Sequence, residues 1–135
     1  MFGNIGDYQT EADIEMDGVI IPFKKGRSIT IRRAGGSNQA YTDYAAMRFK
    51  ETKRQTKTGD VEEDVAREVM YDIYATKVVI GWAGWKDKEG KDIPFTKQNC
   101  MKLFQESREI YAIIFEEAQN LDNFRSEEIF NSGNV

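Results

Sequence analysis

Residues 18–33, GVIIPFKKGRSITIRR, hold two apolar runs around a Lys25-Gly26 turn. Val19 to Phe23 is a strand candidate. Arg27 to Arg33 alternates, with Ile29 and Ile31 on one side and Ser28, Thr30 and Arg32 on the other. A period of two marks a half-buried strand, because successive side chains leave opposite faces. Pro22 has no N–H to give to a ladder, so its strand lies at an edge or ends there. Upstream, Glu11 to Met16 also alternates, with Ala12, Ile14 and Met16 on one side. Asp17-Gly18 follows as a turn signal, since glycine accepts φ > 0. The expectation is a three-strand antiparallel meander that ends at Ala34-Gly35-Gly36.

Downstream the period changes to that of helices. Ser37 or Asn38 can cap a helix through about Lys53, with Tyr41, Tyr44, Ala45, Met47 and Phe49 as an imperfect apolar stripe. Arg54 to Asp60 reads as a polar, mobile linker. Asp60 is expected to cap a helix from Val61 to about Ile80, with Glu62, Glu63 and Asp64 in its first turn, where the helix dipole favours acids. Gly81 would close it as a C′ residue. Thr96 opens a helix to about Ser107, and Ser107 restarts another carrying Ile110, Ile113, Ile114, Ala118 and Leu121. The predicted class is α+β: a small N-terminal antiparallel β-meander followed by three to four helices. Residues 1–10 read as a flexible lead, 11–122 as a single domain, and 123–135 as a frayed C-terminal tail.

Composition narrows the function. The 135 residues are 40% hydrophobic and 12% aromatic, enough for one core and too apolar for a disordered chain. No apolar run approaches the roughly 20 residues of a membrane span, and the first residues lack the basic and apolar regions of a signal peptide. One cysteine excludes an internal disulfide and fits a reducing compartment, so the host cytoplasm is the expected setting. The net charge of −4 conceals three blocks. Residues 1–23 carry five acids and no base, residues 24–57 ten Lys/Arg against two acids, and residues 58–135 nine bases against sixteen acids. The basic block could face an acidic partner or simply neutralise its flanks on folding.

Catalytic constellations are poorly represented. Zinc sites draw on Cys and His, and the chain has one Cys and no His. Asp87, Glu89 and Asp92 lack the EF-hand spacing. Gly35-Gly36 stands between a strand and a helix without the GxGxxG or GK[ST] pattern. Nucleophilic catalysis would need a base for Cys100, which shares a helix with Leu103 and Phe104 and reads as core. The acids sit where capping or a solvated helix face places them. An enzyme is the poorer reading, and no cofactor or metal is expected. Basic and aromatic side chains do occur together in Arg32, Arg33, Arg48, Lys50, Lys53, Arg54 and Lys57 with Tyr41, Tyr44 and Phe49. That mixture suits phosphate contact and base stacking. Trp82 reads as closing the core over the following loop. Trp85, beside Lys86, reads as partly exposed and suited to anchor an interface.

Three passages resemble the tail assembly chaperones of siphovirus-type phages. They are Gly18 to Arg33, the Asn38-Gln39-Ala40-Tyr41 helix start, and Tyr74 to Asn99, with its Tyr74-Ala75, Val78-Val79, Gly81-Trp82, Gly84, Asp87, Gly90, Ile93-Pro94-Phe95-Thr96 and Asn99. Trp85 departs from the pattern, since the family commonly has a single tryptophan ahead of the glycine. The resemblance implies a non-enzymatic scaffold that coats the tape-measure protein before the tail tube forms, associates into rings or spirals, and is absent from the mature virion. Tail tube subunits would be a further partner. The residues expected at such contacts are Trp82, Trp85, Met47, Phe49, Arg48 and Arg54, with Met well suited to tolerant apolar grooves. No membrane partner is expected. The alternatives are a nucleic-acid accessory protein using residues 24–57, or a structural tail or head–tail component.

Overall fold

The computed structural model describes residues 2–126. Among these residues five α-helices pack with a three-stranded antiparallel sheet. Helix α1 (Ala12–Asp17) leads into β1 (Val19–Pro22) and β2 (Ser28–Ile31). Helices α2 (Gln39–Arg54) and α3 (Glu63–Lys77) then form a hairpin. Strand β3 (Val79–Ala83) returns to the sheet, and α4 (Lys97–Glu106) and α5 (Arg108–Gln119) follow. The predicted α+β class and its antiparallel meander are what the chain forms.

The membership of that meander differs from the sequence expectation. Residues 12–17 are helical, and the strand order is β1-β2-β3 with β3 arriving after two helices. Alternation over six residues misled because a helix turns only about 100° per residue. Ile14 and Glu15 are neighbours on the inward face, whereas a strand would place them on opposite faces. Asp13 and Glu15 also sit in the first turn, on the favourable side of the helix dipole. Gly18 (φ 94) ends this helix and is not a hairpin turn. A Cβ there would come within 2.8 Å of Ile80 Cδ1.

The second difference lies at the end of α3. The helix starts after Glu62, not at Asp60, and stops at Lys77. Gly81 lies inside β3 and does not cap a helix. Val78-Val79-Ile80 is a β-branched run that strains a helix and suits a pleat. β2 offers it a free edge, with Ile29 opposite Trp82 and Ile31 opposite Val79, and a bulge between Thr30 and Ile31. β1 occupies the other edge, with Pro22 opposite Ser28, as its missing N–H requires.

The remaining signals match the structure closely. Asn38, Thr96 and Ser107 each accept a backbone N–H at the start of α2, α4 and α5. Asn38 is 1% exposed, and its amide also donates to Arg33 O and Lys77 O at 2.9 Å each. It thereby ties the exit of β2 to the end of α3. The core gathers Ile21, Ile29, Ile31 and Val79 of the sheet with Val69, Ile73 and Tyr74 of α3, Phe104 of α4 and Ile114 of α5. Each such side chain contributes about 1.5–3 kcal/mol by leaving water. Most of the expected tail, residues 123–135, lies outside the described residues. Of it, Asn123 and Phe124 belong to a 3-10 turn, Leu121–Phe124, and Phe124 is 0% exposed.

Candidate functional site

The loop after β3 builds the first candidate surface. Ile93 donates its backbone N–H to Trp85 O at 2.8 Å, and Trp82 Nε1 donates to Ile93 O at 2.8 Å. These bonds fold residues 84–95 back over the end of the sheet. Trp82 and Trp85 then lie 6.2 Å apart, and Phe95 meets Trp82 edge-on at 5.3 Å. The exposure expected of the two tryptophans is reversed. Trp85 is 7% exposed: its Nε1 donates to Ser28 O, Phe23 packs edge-on against it, and Arg27 lies over its ring at 5.0 Å. Trp82 is the half-buried one. Between Trp82, Ile93 and Leu103 lies a cavity of about 170 Å³, rimmed by Lys86, Asn99, Lys102 and Glu106.

The α2 candidates lie elsewhere, and among the described residues no hydrogen bond, ion pair or ring contact joins them to the tryptophans. Met47 is 42% exposed, Phe49 is half-buried against the core, and Arg54 is exposed. Arg48 is committed internally. Its Nε donates to Asp72 Oδ2 at 2.7 Å, where the Tyr44 hydroxyl also donates at 2.7 Å. Lys97 reaches the other oxygen at 2.6 Å, and Thr76 donates there too. Burial raises the Asp72 pKa, but the donors from Lys97, Tyr44 and Arg48 outweigh it and hold the carboxyl at about 2. The result is a permanent anion that joins α2, α3 and α4. Its oxygens are fully occupied, which suits a structural tie rather than proton transfer.

A second internal tie engages Arg33, and Arg32 is held separately. Glu15, 2% exposed, accepts from the Thr10 hydroxyl, the Ser37 backbone N–H and Arg33. Burial raises its pKa, and these donors overcome that and lower it. Arg32 donates to Met16 O at 2.6 Å. The basic block is thus partly neutralised within the fold. Its exposed remainder on and after α2 is Lys50, Lys53, Arg54 and Lys57. Cys100 is 0% exposed, and burial pushes its thiol up to about 12, so it stays protonated and unreactive. Among the described residues no three His, Cys, Asp or Glu side chains gather as a metal site, and no helix is long and apolar enough to cross a membrane.

Sequence reasoning passed over one surface. Along α5 runs an open groove of about 660 Å³, lined among the described residues by Tyr111, Ala112, Phe115, Glu116, Gln119 and Asn120. Phe115 is 38% and Ile113 42% exposed. Phe115 continues an aromatic series through Tyr111 and Tyr74 to Tyr41, with centroids 5.5–6.1 Å apart. The signal was present as an apolar run, Ile110 to Phe115, wider than one helix face needs.

The chain is thus a small α+β fold with interior ion-pair ties and exposed apolar side chains on α5. Residues 36–131 match the family described as YdaY prophage protein, which covers more than half of the chain. The chain belongs to that family and is of phage origin. No curated protein and no solved structure matches it.

Proposed function

We propose that this phage-derived protein is a non-enzymatic tail assembly chaperone. In this reading it holds the tape-measure protein during tail morphogenesis in the host cytoplasm, associates with its own copies, and leaves before the virion matures. The observation that supports it is the groove along α5, where Phe115 stands exposed beside Tyr111 and Ala112 on a helix whose Ile114 and Ala118 are buried in the core. Exposed apolar side chains beside a long groove suit an amphipathic helix of a client. The acids Glu116 and Glu117 at the groove favour a client helix whose apolar stripe is flanked by Lys or Arg.

The test is a tagged pull-down from cells expressing the surrounding phage genes, washed at moderate salt. The expected result is recovery of a very long, helix-rich tail protein, reduced about tenfold by Phe115→Ser with Ala112→Glu in the groove. Recovery only of nuclease-sensitive material, lost as salt is raised, would reject this function and point to Lys50, Lys53, Arg54 and Lys57.

A further inference from the structure

The two ends of the sheet carry opposite chemistry. At one end the segment ahead of α1 presents Phe2 (71% exposed), Ile5 (40%) and Tyr8 (77%), an apolar side chain at every third position. The same stretch through Asp13 carries Asp7, Glu11 and Asp13 and no base. Its root is fixed: Glu11 N–H donates to Phe124 O, and Arg125 donates to Gly6 O and Asp7 O. That root lies beside α1, at the Val19/Ile31 end of the sheet.

At the opposite end, beyond Ser28 and Ala83, aromatics stand among mixed charge in which bases outnumber acids: Lys24, Lys25, Arg27, Lys86, Lys88, Lys91 and Lys102 against Asp87, Glu89, Asp92 and Glu106. The turn Lys24–Gly26 packs against the loop after β3, where a Cβ on Gly84 would meet Gly26 O at 3.0 Å. Lys24, Lys25, Lys88 and Lys91 are exposed here and take part in no ion pair among the described residues. Two recesses flank the tryptophans: the 170 Å³ cavity beside Lys102 and a shallower one of about 260 Å³ at Trp82, Pro94 and Phe95. A space of this size holds one aromatic ring, by comparison with an engineered cavity of about 150 Å³ that binds benzene.

We propose that residues 2–13 of one copy dock on the Trp82–Phe95 end of a second copy. Phe2, Ile5 and Tyr8 supply side chains for the recesses, and Asp7, Glu11 and Asp13 face the lysines. Donor and acceptor stand at opposite ends of one sheet, so the contact is heterologous and repeats head to tail. The proposal rests on the self-association in the reading above and gives it a surface.

The experiment is sedimentation over a concentration series, with three proteins: wild type, an arm variant (Phe2→Ser, Ile5→Ser, Tyr8→Ser) and a groove variant (Trp82→Ala). Lys102→Glu stands in if Trp82→Ala does not fold. The expected result is concentration-dependent association of wild type, weaker at high salt, and at least about tenfold weaker self-association of each variant. Mixed together, the two variants should form a 1:1 dimer and nothing longer, because one intact arm meets one intact groove. A synthetic peptide of residues 2–13 should shift the tryptophan fluorescence, and a scrambled peptide should not. Wild-type-like association of the arm variant would overturn the docking proposal while leaving self-association standing. A wild type that stays monomeric at every concentration would remove both, and client capture in the pull-down would then be judged alone.

Discussion

Asp72 and Glu15 are both carboxylates with little access to water, yet they are satisfied in different ways. Asp72 sits between two long cations, Arg48 and Lys97, with hydroxyls from Tyr44 and Thr76 filling in. Glu15 takes one cation, one hydroxyl and one backbone N–H. The first arrangement holds three helices through charge, and long side chains can adjust to small shifts between those helices. The second fixes the course of the main chain at Ser37 and leaves no slack. Gly36 shows this: it has φ +54, and a Cβ there would collide with the Glu15 carboxylate and come within 2.6 Å of Arg33 Nη1. One acid sets how elements pack, and the other sets how a loop is shaped.

Four measurements probe that contrast. Asp72→Ala should have the largest effect, about 3 kcal/mol of lost stability in urea unfolding, because two cations and two hydroxyls lose their shared acceptor. An unchanged midpoint would mean that Arg48 and Lys97 find water at no cost. Acid should act next. A carboxyl whose folded pKa lies below its unfolded value stabilises the fold above the unfolded value and loses that contribution as pH falls. For Asp72 the folded value is about 2 against an ordinary 3.8, so roughly 2 kcal/mol should disappear between about pH 4 and pH 2. A stability profile flat across that window in wild type, or equally sloped in Asp72→Ala, would remove Asp72 as the cause. Gly36→Ala should lose about 2 kcal/mol through left-handed strain and displacement of Glu15. The smallest change is expected for Glu15→Gln, about 1 kcal/mol, since the amide oxygen can still accept from Ser37 and the amide NH2 can donate to the Thr10 hydroxyl, while the acceptor and charge toward Arg33 are lost. If Glu15→Gln proved more damaging than Asp72→Ala, the assignment of charge to one site and geometry to the other would be reversed.

What the sequence made legible was local. The β1–β2 hairpin shows in the alternation of Ile29 and Ile31 and in Pro22, and the caps at Asn38, Thr96 and Ser107 show in residue type alone. Apart from α1, where a short alternation is itself ambiguous, the differences share one cause, dependence on partners distant in the chain. Val79–Ala83 becomes a strand only because β2 has an open edge. Trp85 is buried, and Trp82 less so, because Phe23, Arg27 and Ser28 close on the former from another hairpin. Asp72 has no local signal of its role, because its cations come from α2 and α4. The α5 groove was hidden differently: its apolar run reads as core until the packing shows which side chains the core leaves out.

The single thiol gives the molecule an internal clock. Cys100, sealed beneath α4 and held protonated by its surroundings, can meet a labelling reagent only when α4 lifts away. With no other cysteine in the chain to confuse the count, the rate at which reagent is consumed reads directly how often that opening occurs. Any partner that holds α4 against α3 should slow the clock in proportion to how tightly it binds.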